Sequence, residues 1–277
     1  MKHLRYIAIF SALSLALLAG CKRKEADNID ISSIHTTAAE TETMAPETTP
    51  ASTIESTTAQ TTAETEAATT AAGSSGKNST ATKTTTYENG KIKIQYPAVY
   101  DTGDTGKETS INRLIKDNAL SIIDQYELDE SADTLDIRCE VIAADKKRLT
   151  IVYRGSCSSA NAAHPANIFF TNTIDLNQVS NIGFSDYVDP YTMAGYVLSG
   201  DCQFPEASGE LLTELKNIKN ETDVMDYTAM FEQADFPVDT EFPTVFSYEK
   251  QGNIYFSIPV PHALGDYAIV RYTPDTK

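Results

Sequence analysis

Between Phe10 and Tyr87 this chain has no aromatic residue, and that gap decides which part of it can fold. Threonine, alanine, glutamate and serine dominate residues 36–86. Such a segment cannot bury enough apolar surface to offset its chain entropy, so the sequence predicts a disordered tether there. Residues 87–277 hold every aromatic side chain beyond Phe10 and are the only stretch able to build a sizeable core. About 190 residues suit one domain or two small ones.

The first residues set a location. Lys2 and Arg5 precede an apolar run over 6–17, which Leu18-Ala19-Gly20-Cys21 closes with small residues before a cysteine. The run is shorter than the ~20 residues of a spanning helix, so cleavage is expected rather than a single-pass anchor. The segment resembles a bacterial lipoprotein signal peptide, covering 1–20, with Cys21 as the acylated mature N-terminus. Two or more acyl chains give stable anchoring where one is marginal, at ~0.8 kcal/mol per buried CH₂. Lys22, Arg23 and Lys24 would then sit among anionic headgroups. The expected place is the outer face of the cell membrane. A flexible coil from Cys21 to Tyr87 spans roughly 45 Å root-mean-square, enough to carry the fold into the wall.

Charge narrows the partners. The chain carries a formal −17, and losing Lys2 and Arg5 with the signal leaves −19. That argues against nucleic acid and favours a basic protein over an acidic one.

Cysteine arithmetic leaves Cys139, Cys157 and Cys202 once Cys21 takes the lipid, an odd number for an oxidising compartment. Residues 134–143 and 148–157 read as a hairpin with Cys139 opposite Val152, which puts Cys157 on the other face and forbids a bridge across that ladder. A Cys157–Cys202 pair is the favoured bridge; three free buried thiols are the alternative.

Periodicity supplies the elements. Residues 91–96 alternate as a half-buried strand closed by Pro97. Ile111, Leu114, Ile115, Ala119, Ile122, Ile123 and Tyr126 fall at helical spacing, predicting a helix of about 17 residues capped by Thr109 or Ser110. After the hairpin come strands over 168–176 and 195–204, helices around 211–218 and 224–231, and a closing meander over 244–249, 253–260 and 267–272. The fold class is α+β, with antiparallel sheets and packed helices.

Chemistry is sparse. The folding region has two histidines, His164 and His262, both in loops beside proline. A zinc site from these two with Asp186 or Asp266 lacks a close ligand pair. A Cys157 nucleophile with His164 as base competes with the disulfide reading. No nucleophile elbow, phosphate loop or dinucleotide fingerprint occurs, so no cofactor and no catalytic residue is assigned.

Two passages carry a resemblance. The stretch 156–165, ending Ala163-His164-Pro165 and leading into Thr173-Ile174-Asp175-Leu176, is similar to a junction in a family of extracellular Firmicute modules. The stretch 252–267, through Pro261-His262-Ala263-Leu264-Gly265-Asp266-Tyr267, resembles that family's C-terminal signature. The family pairs two α+β modules: one found ahead of peptidoglycan deacetylase domains, and one of unknown function. Both occur in an anti-sigma factor that senses lysozyme by binding it. After the lipidated cysteine and tether over 21–86, the resemblance implies modules over 87–165 and 166–277 as two small, intimately associated subdomains. The chain lacks the Thr-Phe-Asp-Asp and His-x-x-x-His motifs of a deacetylase and a spanning helix with a cytoplasmic segment, so neither relative's activity is expected.

The expectation is a non-catalytic surface lipoprotein that binds a peptidoglycan fragment or a basic wall hydrolase such as lysozyme. The loop 158–167 and the bend 259–267 would supply His164, Pro165, Asn167, His262, Asp266 and Tyr267, with Tyr187 and Tyr191 nearby. The rivals are a wall hydrolase or transferase acting through His164 or His262, and a scaffold for another wall enzyme.

Overall fold

The threonine run at the end of the tether is where the fold begins. The computed structural model describes residues 79–159, 162–238 and 241–274. The signal segment, Cys21 and the tether up to residue 78 lie outside the described residues. Strand β1 (Ala81–Asn89) takes in Thr82, Thr84, Thr85 and Thr86, and Thr85 and Thr86 are buried. Threonine is β-branched and fits a pleated, half-buried surface, so low aromatic content did not exclude a strand. The folded part therefore starts before Tyr87.

Gly90 turns β1 into β2 (Ile92–Tyr100) at φ +56, and a Cβ there would lie 2.0 Å from the Glu130 carbonyl oxygen. Ile92, Ile94 and Tyr96 are buried as the alternation predicts, but β2 runs on through Pro97. Its parallel ladder to β3 (Thr134–Ala144) covers Ile92–Ile94 alone, so beyond it a missing N–H is tolerated as on an edge. Helix α1 (Thr105–Gln125) is longer than expected because Asp104 caps it, accepting from the Lys107 N–H at 3.0 Å. Thr109 and Ser110 instead donate back to the carbonyls of Thr105 and Gly106.

Strands β3 and β4 (Arg148–Ser158) pair with Cys139 opposite Tyr153, with a bulge between Val141 and Ala143. That differs by one residue from the sequence expectation, and one residue flips faces. Cys139 and Cys157 therefore share a face, and their separation along the strands, roughly 13 Å, keeps them unbridged. Strands β5 (Ala166–Asp175) and β6 (Ser180–Ile182) complete a six-stranded sheet in chain order, antiparallel except between β2 and β3. A module boundary at 165/166 would separate β4 from its partner β5, so the division does not fall there.

Helices α2 (Phe184–Tyr187), α3 (Pro190–Leu198), α4 (Gly209–Ile218) and α5 (Val224–Glu232) follow. Helix α3 replaces the strand expected from residue 195: Asp189 caps it, accepting from the Thr192 N–H at 2.7 Å, and Pro190 occupies its first position. Strands β7 (Ser247–Lys250), β8 (Asn253–Pro259) and β9 (Tyr267–Tyr272) form the anticipated antiparallel meander.

Two apolar clusters result. The first packs α1 on the six-stranded sheet; the second packs α2–α5 against the meander. Asp235 joins them: fully buried, it accepts from the Ser247 backbone N–H at 2.6 Å and from the Ser247 hydroxyl, and lies 3.4 Å from the Thr171 hydroxyl on β5. The Cys157–Cys202 bridge is not formed. Cys139, Cys157 and Cys202 are all free, and Cys157 and Cys202 belong to different clusters. Among the described residues no helix is long and apolar enough to cross a membrane.

Candidate functional site

The β8–β9 ladder ends at Pro259 opposite Tyr267, and the bend between them is tightly specified. A single 3-10 turn, His262–Leu264, follows Pro261, with the Leu264 N–H donating to the Pro261 carbonyl at 2.7 Å. Gly265 at φ +103 and Asp266 at φ +70 then reverse the chain, and the Val260 N–H closes on the Asp266 carbonyl at 3.0 Å. A left-handed aspartate is strained, although Asp tolerates that region better than most residues.

The Asp266 carboxylate has work that holds it there. One oxygen is 2.8 Å from His262 Nδ1, and the other accepts from the Asn167 backbone N–H at 2.7 Å. The β8–β9 bend is thereby fastened to the loop ahead of β5. In that loop the His164 ring lies nearly parallel to the His262 ring, with centroids 6.1 Å apart and planes 18° from each other. His164, Pro165, Asn167, His262, Asp266 and Tyr267 thus come from two distant segments to one place. Tyr187 and Tyr191, on α2 and α3, take no part in these contacts. Residues 160 and 161 of the loop lie outside the described residues.

Arg154 on β4 completes the floor. Its guanidinium sits 5.0 Å from the Phe169 ring centroid and donates to the Tyr267 hydroxyl at 3.1 Å. It also grips both oxygens of Glu206 at 2.7 and 3.2 Å. Phe169 and Tyr267 stack with centroids 5.0 Å apart. The sequence held one signal for this: a lone arginine inside the apolar run Ile151-Val152-Tyr153-Arg154.

The Asp266 carboxylate at Nδ1 orients the His262 ring, the arrangement of an oriented base or ligand. Half of the His262 side chain is solvent-exposed. Among the described residues no three or more His, Cys, Asp or Glu side chains converge to hold a metal. Asp186 is engaged elsewhere, accepting from the Gly183 N–H at the start of α2. Burial pushes the Cys157 thiol up, with the Asp133 charge adding to it, opposite to the lowering that activates a nucleophilic cysteine.

Two clefts share Asn167 and Tyr267 in their walls. The larger, about 530 Å³, runs past Tyr126 at the end of α1, Phe242, Gln125, Glu241 and Asp266. The smaller, about 190 Å³, has Phe204, Leu211, Leu215, Leu264 and Ile269 in its walls and Glu206 at its edge. Tyr126 and Leu211 are among the few large side chains that the surface leaves exposed. The imidazoles line neither cleft. Tyr126, Phe242 and the pair Glu206 and Leu211 come from three separate segments, and no spacing in the chain marks them.

No protein-family model matches this chain, and no curated protein matches it. Among solved structures, a member of the DUF3298 family from Bacteroides fragilis covers 71% of this chain and 92% of its own length, at 13% identity and a TM-score of 0.42. A DUF3298 family protein from Pseudomonas aeruginosa covers 65% and 82%, at 12% identity and a TM-score of 0.32. These neighbours belong to an uncharacterised bacterial family, and a likeness this distant carries no argument about function.

Proposed function

We propose that this chain is a lipid-anchored surface protein that uses the clefts beside Asp266 to bind a cell-wall fragment, without chemistry of its own. One observation carries the ligand class. The larger cleft is lined by the aromatic side chains of Tyr126, Phe242 and Tyr267 together with the amides and carboxylates of Gln125, Asn167, Glu241 and Asp266. Sugar rings stack their apolar faces on aromatic side chains, and their hydroxyls pair with planar polar groups. Its volume lies within the roughly 300–1,000 Å³ of ordinary ligand sites. The segment 1–21 supports the anchor, and the aromatic-free stretch before residue 79 supports a tether long enough to reach the wall.

The test is calorimetric titration of the full chain with soluble fragments of digested peptidoglycan. Saturable binding that weakens at least tenfold in Tyr126→Ala is expected. No heat at millimolar fragment would overturn the reading. Binding to lysozyme at low salt that vanishes at high salt would move the ligand to the basic-protein class.

A second reading is a wall hydrolase or transferase, favoured by the 2.8 Å contact between His262 and Asp266 beside the parallel ring of His164. It requires that His262→Ala or His164→Ala abolish a wall-digesting activity while the fold survives.

A further inference from the structure

The two clefts differ in size and in lining, and they share a wall. We infer that they act as one site for a two-part ligand: a wall disaccharide seated in the larger cleft, with its attached stem peptide entering the smaller. The inference rests on the proposed binding function and names the ligand more narrowly.

At about 190 Å³ the smaller cleft falls below the range of stand-alone ligand sites, so it serves as an extension of something bound next door. The neighbour is fixed by Asn167 and Tyr267, which line both clefts. A ligand resting against Tyr267 in the larger cleft touches a residue that also walls the smaller one.

The chemistry changes across that wall. The larger cleft combines aromatic faces with amides and carboxylates, which suits hydroxylated rings. The smaller one offers the aliphatic side chains of Leu211, Leu215, Leu264 and Ile269, which suit the methyl and methylene groups of a short peptide. At its edge lies Glu206, a carboxylate held in place by Arg154, which suits the polar backbone and amine of a peptide. A bare glycan strand would leave this apolar surface uncovered, and an isolated peptide would leave the aromatic platform unused.

The experiment compares two probes on the full chain by isothermal titration: the N-acetylated wall disaccharide alone, and the same disaccharide carrying its stem peptide. The peptide-bearing probe is expected to bind at least tenfold tighter. Leu211 is exposed on α4, and Leu211→Glu should abolish the difference while the urea unfolding midpoint stays that of the unsubstituted chain. Equal affinities in the unsubstituted chain would overturn the two-part ligand and leave the proposed function standing. A difference that survives Leu211→Glu would overturn the assignment of the peptide to the smaller cleft. Failure of both probes to bind would bring down the proposed function beneath it.

Discussion

Asp235 makes stability depend on pH in a direction opposite to that of most carboxylates. Burial pushes its carboxyl up to about 7 from an ordinary 3.8, and the donors around it, Ser247 first, recover part of that shift. Thr171 helps little, because its single hydroxyl proton is committed to the Ser247 carbonyl at 2.6 Å, leaving the 3.4 Å approach to Asp235 weak. A carboxyl raised in the folded state binds more protons there than in the unfolded chain between pH 3.8 and about 7. Stability is therefore greatest below that window and falls as pH rises through it. At about 1.36 kcal/mol per unit, the whole window is worth about 4 kcal/mol. Asp235→Asn holds the neutral shape at every pH and removes this dependence. Urea unfolding of both forms at intervals from pH 4 to 8 isolates the effect, because all other titrating groups are common to the two. The native chain should lose about 4 kcal/mol relative to the variant across the range. A difference that stays constant with pH would refute the reasoning and show that Asp235 is ionised throughout.

Three further outcomes follow from packing. Lys219 is almost fully buried and donates to the carbonyls of Val197 at 2.6 Å and Ser199 at 2.9 Å, closing the C-terminal end of α3; Lys219→Met should lower stability by about 2–4 kcal/mol in urea melts. Gly90→Ala drives a methyl into the Glu130 carbonyl at a positive φ and should cost about 2–4 kcal/mol in thermal unfolding, whereas Gly103→Ala, at positive φ with open space around it, should cost less. Burial pushes the thiols of Cys139 and Cys202 up to about 12 and about 11, and raises Cys157 as well, so none of the three should react promptly with a thiol reagent at pH 8. All three should react in urea; a reading of one thiol there would restore a disulfide.

Periodicity in the chain marked the elements whose burial is local and repetitive. The α1 stripe, the two helices around Leu215 and Phe231 and the closing meander all alternate or recur at the spacing that their packing demands. What it obscured has particular causes. Threonines 82, 84, 85 and 86 carry strand propensity without the aromatic signal, so the start of the fold was hidden inside the tether. The β3–β4 turn closes with Ala144 opposite Leu149, two residues from the expected register, and the bulge at Ile142 takes one of them back; no local pattern announces a bulge. Helix α3 is short, and its capping pair Asp189-Pro190 was a stronger cue than the apolar residues around Val197.

The same distinction explains the site. His164, Asn167, His262 and Asp266 stood out because proline, glycine and polar residues in loops signal exposed, specified backbone, and loops on a rigid scaffold are where binding groups concentrate. Their meeting is fastened by a bond that spans the fold, from the Asn167 N–H to the Asp266 carboxylate, and that bond needs both strand registers and the left-handed turn at Asp266. The cleft walls have no such local mark. Tyr126 ends a helix whose apolar stripe already accounts for it, and Leu211 fits the face of α4 equally well as core or as surface. Only tertiary packing, which leaves Tyr126 and Leu211 partly in solvent in the two clefts that Tyr267 lines, separates a binding wall from an ordinary helix face. Asp266 thus holds the two loops of the site together. Asp266→Ala removes the acceptor for both loops at once, so it should weaken ligand binding by more than Tyr126→Ala does, while leaving the two apolar clusters and their cooperative unfolding intact. A variant that unfolds in two separate steps would show that this bond joins the subdomains and does not merely shape the cleft.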